Sequence, residues 1–119
     1  MFDESNKPTA IAPGINFGMR KITYGKAINY YPAIVVKKSN GNKVVYSIQT
    51  IHAGRNINAA VEKAIKQYEI VVPMKNKEKE LLRQRAKKVI ADKKAQNEIV
   101  KKIPKEFQKQ FFTNLKEGF

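Results

Sequence analysis

The side chains with the most chemistry to offer in this sequence are cations set among aromatics. Arg20, Lys21, Lys26, Lys37, Lys38 and Lys43 share the first half of the chain with Tyr24, Tyr30, Tyr31 and Tyr46. Lysines in such a group suit phosphate oxygens, contacts that position a protein on a nucleic acid without reading its sequence. Arg20 and Arg55 are suited to bidentate contacts with guanine or to a minor groove, and Asn29, Asn40, Asn42 and Gln49 to adenine. A second basic group, Arg83, Arg85, Lys87 and Lys88, follows in the second half. Each tyrosine also has a plainer use, as packing on a sheet face.

Catalytic chemistry has little to work with. His52 is the one histidine, there is no cysteine, and no carboxylate pair lies near His52 in the chain, which favours a structural or exposed role for it. Glu62 and Glu69 flank an apolar stripe, while Glu78, Glu80, Glu98 and Glu106 suit helix-stabilising charge. No nucleophile elbow, glycine-rich phosphate loop or metal-ligand cluster occurs in the sequence. The expectation is a protein that is not an enzyme and uses no cofactor and no metal.

The charge balance points to a polyanion. The 119 residues carry 24 basic and 10 acidic side chains, a net +14, and both halves are basic. Double-stranded DNA is the simplest partner for such an excess. A lysine-rich, A+T-biased composition is the bland alternative, but +14 exceeds what solubility needs in so small a protein. Without cysteine there are no disulfides, and no apolar run reaches the length of a membrane span. These features predict a soluble, cytoplasmic protein that does not enter membranes, nucleoid-associated if DNA is its partner.

The elements that must position these residues are legible in part. Residues 1–13 are expected to form an extended or flexible arm. Residues 14–74 are expected to form a sheet-plus-helix domain. Ile15, Phe17 and Met19 alternate along a first strand, followed by a loop from Tyr24 to Asn29. Tyr31–Val36 and Val44–Ile51 are the next two strands, joined at Asn40-Gly41, a pair that tolerates the positive φ of a tight hairpin. A two-residue turn there sets Lys38 opposite Lys43, Val36 opposite Val45, Val35 opposite Tyr46 and Ala33 opposite Ile48. Lysines directly opposite repel, so an anion nearby would relieve a cost.

Ile57, Ala60, Val61, Ala64, Ile65 and Tyr68 then recur as one helical stripe, with Asn56 or Asn58 as its cap. Gly54 and Arg55, just before that helix, suit either a phosphate or a plain strand-to-helix turn. Glu69–Met74 suits an extended segment on the sheet or a fourth strand. Residues 75–119 are expected to form basic C-terminal helices. The first is capped at Asn76 and built on Leu82, Ala86, Val89 and Ile90; Asp92, Gln96 and Asn97 interrupt this stripe, which Ile99, Val100 and Ile103 resume. A last helix starts at Pro104 and carries Phe107, Phe111 and Leu115. The fold class is therefore α+β: a three-stranded antiparallel meander covered by one helix, followed by a basic C-terminal helical extension.

Over residues 14–70 the chain resembles a known family. Gly14-Ile15-Asn16-Phe17, the Tyr31-Pro32-Ala33-Ile34 strand, the Asn40-Gly41 hairpin and the alanine-rich helix ending at Tyr68 look like the three-stranded-sheet DNA-binding domain of the Apetala/ethylene-response-factor family and of phage-integrase arm-binding domains. Tyr31 stands where that family carries tryptophan, and Pro32 where it carries arginine. The resemblance implies major-groove binding by the sheet, with Arg20, Lys21, Lys37, Lys38 and Lys43 as contacts. Ala53-Gly54-Arg55 before a helix is also similar to the C-terminal domain of histone-like nucleoid-structuring proteins, which implies an arginine in an A·T-rich minor groove. Small size and A+T-biased composition would suit a phage or mobile-element protein. The rival expectation is an inhibitor or virion component that docks an acidic protein through its basic surface and a cluster of Phe107, Phe111 and Phe112. RNA, with exposed tyrosines as stacking platforms, is a third.

Overall fold

A computed structural model of the chain describes residues 8–48 and 57–118, with the side chains of 117 and 118 left out. Among these residues the architecture is α+β: one antiparallel sheet of four strands and four helices. The strands are β1 (Ala10–Ala12), β2 (Ile15–Tyr24), β3 (Ala27–Lys37) and β4 (Lys43–Ser47), in the spatial order β1-β2-β3-β4. The meander thus has one strand more than expected, and the supposed arm supplies it. Ile11 is buried, and Thr9 accepts a 2.8 Å hydrogen bond from the Phe17 amide, extending the pairing. A three-residue strand of Ala-Ile-Ala is too short to show a period of two, so sequence pattern misses it.

The expected loop at residues 24–29 is instead the end of a longer hairpin. Tyr24 pairs with Ala27, and Gly25 occupies the first turn position at φ 62°, which matches the twist of the strands. The β3–β4 hairpin differs by one residue from its expected register. Its loop is Ser39-Asn40-Gly41, with Gly41 at φ 89°; the Lys38 amide donates to the Asn42 carbonyl at 2.7 Å, and the Asn42 amide to Asn40 Oδ1 at 3.0 Å. Glycine as the third loop residue makes the three-residue bulged turn the better fit. Lys37 therefore faces Lys43, Val36 faces Val44, Val35 faces Val45, Ile34 faces Tyr46 and Ala33 faces Ser47. A one-residue slip exchanges the faces of a strand. Tyr46 accordingly joins Ile34 on the buried side.

Helix α1 (Ile57–Val71) buries Ile57, Ala60, Val61, Ala64 and Ile65 as its stripe predicts. Its expected cap at Asn56 lies outside the described residues, and Asn58 is the second helical residue. Glu69 to Val71 continue this helix; they are neither a strand nor an extended segment. Nothing in their sequence breaks the helical hydrogen bonding until Pro73, which disfavours helix at the residue before it. Helix α2 (Asn76–Ala91) begins one residue earlier than expected. Lys75 precedes it, and its amide donates to Glu78 Oε1 at 3.4 Å. Asp92 divides the following stripe by capping α3 (Lys93–Val100): its carboxylate accepts the Lys94 amide at 2.9 Å. Helix α4 (Lys105–Gly118) follows Pro104.

One hydrophobic cluster joins all of these elements. Ile15, Phe17, Ile34 and Val36 of the sheet pack with Val61 and Ile65 of α1, Leu82 and Ile90 of α2, Ile99 of α3, and Phe111 and Leu115 of α4. The helices after residue 75 thus share the core of the sheet. Helix α4 also closes a sheet edge. β4 pairs only with Ala33–Lys37, leaving the first half of β3 without a neighbour on that side. There Gln110 accepts from the Tyr30 amide at 2.7 Å and donates to the Ile28 carbonyl at 3.1 Å, and Asn114 donates to the Tyr30 carbonyl at 2.8 Å. Side-chain amides on a helix are standing in for a missing strand.

Candidate nucleic-acid interface

Alternation along the strands sorts the candidate residues onto two faces. Ile15, Phe17, Tyr30, Pro32, Ile34, Val36 and Tyr46 point toward α1, α2 and α4. The other face carries Asn16, Gly18, Arg20, Tyr24, Asn29, Tyr31, Val35, Lys37 and Lys43, most of them half-buried or exposed. Of the four tyrosines singled out, only Tyr24 and Tyr31 lie on this open face. Tyr30 packs against Phe107, with tilted rings and centroids 5.4 Å apart. Tyr46 sits against α1, where its hydroxyl donates to Gln67 Oε1 at 3.4 Å and burial raises its pKa.

The open face is basic without compensation. From Ser5 to Val61 the sequence contains no Asp or Glu, so every acidic side chain of the described residues lies on a helix or at its cap. That acid-free run was readable in the sequence, and a charge total over half the chain averages it away. The cations fall into two groups. Arg20, Lys21 and Lys26 lie along the far half of the β2–β3 ribbon, which β4 does not reach; α4 runs beside residues 28–30 there, and past it the tip is open, with Tyr24 83% exposed. Arg20 is on the open face and Lys21 on the opposite one, so the ribbon is positive on both sides. Lys37 and Lys43 sit at the other end, with Lys38 half-buried beside the turn. Ten residue steps of β3 separate the two ends, roughly 33 Å at strand rise.

The second-half cations are elsewhere. Helix α2 packs on the covered side, with Leu82 and Ala86 beside Ile11, Ile15 and Val61. Arg83 is engaged there: it forks onto Glu62 at 2.6 and 3.1 Å and reaches Glu80 at 3.2 Å, and the Glu62 hydrogen bond raises the pKa of its guanidinium. Lys79 likewise pairs with Glu69 at 2.7 Å. Arg85, Lys87 and Lys88 are exposed. Arg55, with Gly54 and His52, lies outside the described residues. Of the phenylalanines proposed as a docking cluster, Phe111 is fully buried against Phe17, Phe107 is half-buried on Tyr30, and Phe112 is 38% exposed. The helical stripe that makes them i, i+4 neighbours also turns them inward.

A cleft of about 740 Å³ runs from the open face over β2 to the C-terminal end of α3. Asn16, Gly18 and Val35 line it together with Lys37, Lys43, Glu98 and Lys102. Lys102 was not singled out from sequence, because it reads as one more solvated lysine beyond a helix end. Among the described residues no three His, Cys, Asp or Glu side chains gather as a metal site, and no helix is long and apolar enough to cross a membrane. No protein-family model, no curated protein and no solved structure matches the chain.

Proposed function

We propose that the protein is a non-enzymatic binder of double-stranded DNA, using the open face of its sheet and the protruding β2–β3 ribbon. The observation that carries this reading is the acid-free sheet, whose exposed ribbon bears Arg20, Lys21 and Lys26 around Tyr24. A two-stranded ribbon fits the major groove, about 12 Å wide. A ribbon entering that groove has a phosphate backbone on each side, and Arg20 and Lys21, adjacent in sequence and opposite in direction, supply a cation to each. Arg85, Lys87 and Lys88 are exposed on α2, on the covered side of the sheet, and are not among these contacts. The docking reading through Phe107, Phe111 and Phe112 needs an exposed aromatic cluster, and no observation favours it.

The test is binding to a random duplex of about 30 base pairs at roughly 50 and 200 mM salt. Five contacts from Arg20, Lys21, Lys26, Lys37 and Lys43 predict a loss of affinity of a few hundred-fold, roughly, across that range. The Arg20→Gln/Lys21→Gln/Lys26→Gln variant is expected to fold normally, since these side chains are exposed, and to flatten the salt slope by about 0.9 per residue. Absence of duplex binding at low salt would sink the reading. An unchanged slope in the variant would remove the ribbon from the interface.

A further inference from the structure

We infer that the cleft between the β3–β4 hairpin and the end of α3 is a phosphate-binding site, with Lys37, Lys43 and Lys102 as its ligands. This inference goes beyond duplex binding and stands without it. Two independent features converge on the cleft. The first is charge. Lys37 and Lys43 are direct cross-strand partners, an arrangement that repels, and Lys102 brings a third ammonium to the same walls from a different element. Among the described residues none of the three has an ion-pair partner, and the one carboxylate on the walls, Glu98, is paired with Lys101 at 3.0 Å. An anion with several oxygens turns this repulsion into attraction.

The second feature is room. Gly18 lies inside β2, where glycine weakens a strand and marks a close approach. A Cβ placed there would come within 3.3 Å of Val35 Cγ2, so the glycine keeps the floor of the cleft low. At about 740 Å³ the cleft is in the range of small-ligand sites. Lysine ammoniums grip phosphoryl oxygens as point charges, without the planar matching that arginine imposes. The ligand is therefore a phosphoryl group, either a phosphodiester of a nucleic-acid backbone or a free phosphorylated small molecule.

The experiment titrates the full chain with inorganic pyrophosphate at low salt, following backbone amide shifts by NMR. Saturable shifts at Gly18, Lys37, Lys43 and Lys102 are expected. The Lys37→Gln/Lys43→Gln/Lys102→Gln variant should bind at least roughly tenfold more weakly, the worth of one charge-assisted hydrogen bond. The Lys93→Gln/Lys105→Gln/Lys116→Gln variant has the same net charge and should bind like the unmodified protein. Equal weakening in both variants, or shifts that never saturate, overturns the site. A second arm repeats the duplex titration. A slope flattened by about 0.9 per cleft lysine identifies the ligand as backbone phosphate. An unchanged slope, with pyrophosphate binding by the unmodified protein weakened in the variant, identifies it as a free phosphorylated molecule and removes Lys37 and Lys43 from the duplex interface.

Discussion

Lys43 shows how one residue can be read correctly in type and wrongly in partner. A lysine pair across the hairpin follows from sequence alone, but its members are Lys37 and Lys43, because Gly41 as third loop residue moves the register by one. Neutralising one member should stabilise the protein. Lys43→Gln is expected to gain about 0.2–1 kcal/mol in urea unfolding at low salt. At about 1 M salt, where screening extends over only about 3 Å, the gain should vanish. Lys26→Gln, at a tip with no cross-strand cation, should show neither effect. A salt-independent gain at Lys43 would mean that strand propensity, not repulsion, is responsible. Arg83 carries the opposite lesson. It looked free for phosphate, yet Glu62 lies 21 residues away on a neighbouring helix and captures it. Sequence distance hides such pairs.

Among the elements, α4 departs furthest from its expected part as an appended helix. Its aromatic stripe was readable, since Phe107, Phe111 and Leu115 recur at four-residue steps. Its destination was not, because the free edge of β3 exists only once β4 has paired with the other half of the strand. Asn114 is buried, and its amide satisfies the Tyr30 carbonyl. Asn114→Leu keeps the volume but leaves that carbonyl without its partner, so a loss of about 1–3 kcal/mol is expected in chemical denaturation. Amide exchange at residues 28–32 should accelerate in the same variant, and a change confined to α4 would show that the edge is held by other contacts. The brief β1 was illegible for a related reason: a three-residue strand leaves no periodic trace long enough to read. The break at Asp92 showed in the sequence only as an interrupted stripe, not as the cap of a separate helix.

For the whole molecule, the shared core decides whether the second half is an accessory. Ile90, Ala95 and Phe111 have no exposed surface and pack into the cluster that contains Ile34 and Val36. A chain ending at residue 74 would expose the sheet side of that cluster. It is expected to lack a cooperative thermal transition and to show weak amide dispersion, whereas a division at residue 74 into independent units predicts a folded fragment. Duplex binding by the proposed interface depends on that packing too. The ribbon tip and the Lys37–Lys43 pair are held roughly 33 Å apart only while β3 runs unbroken between them.

What the chain determined by itself was local: the amphipathic stripe of α1, the hairpin at Asn40-Gly41, the helix start after Pro104, and a charge excess whose acids are all excluded from residues 5–61. Each rests on spacing or composition within one segment. The tertiary structure decided which residues meet. It placed β1 on the sheet, turned Tyr30, Tyr46 and Phe111 inward, bound Arg83 to Glu62, and brought Lys102 to the cleft of Lys37 and Lys43. Those outcomes depend on contacts between segments far apart in sequence, where the burial of a shared core outweighs any local preference.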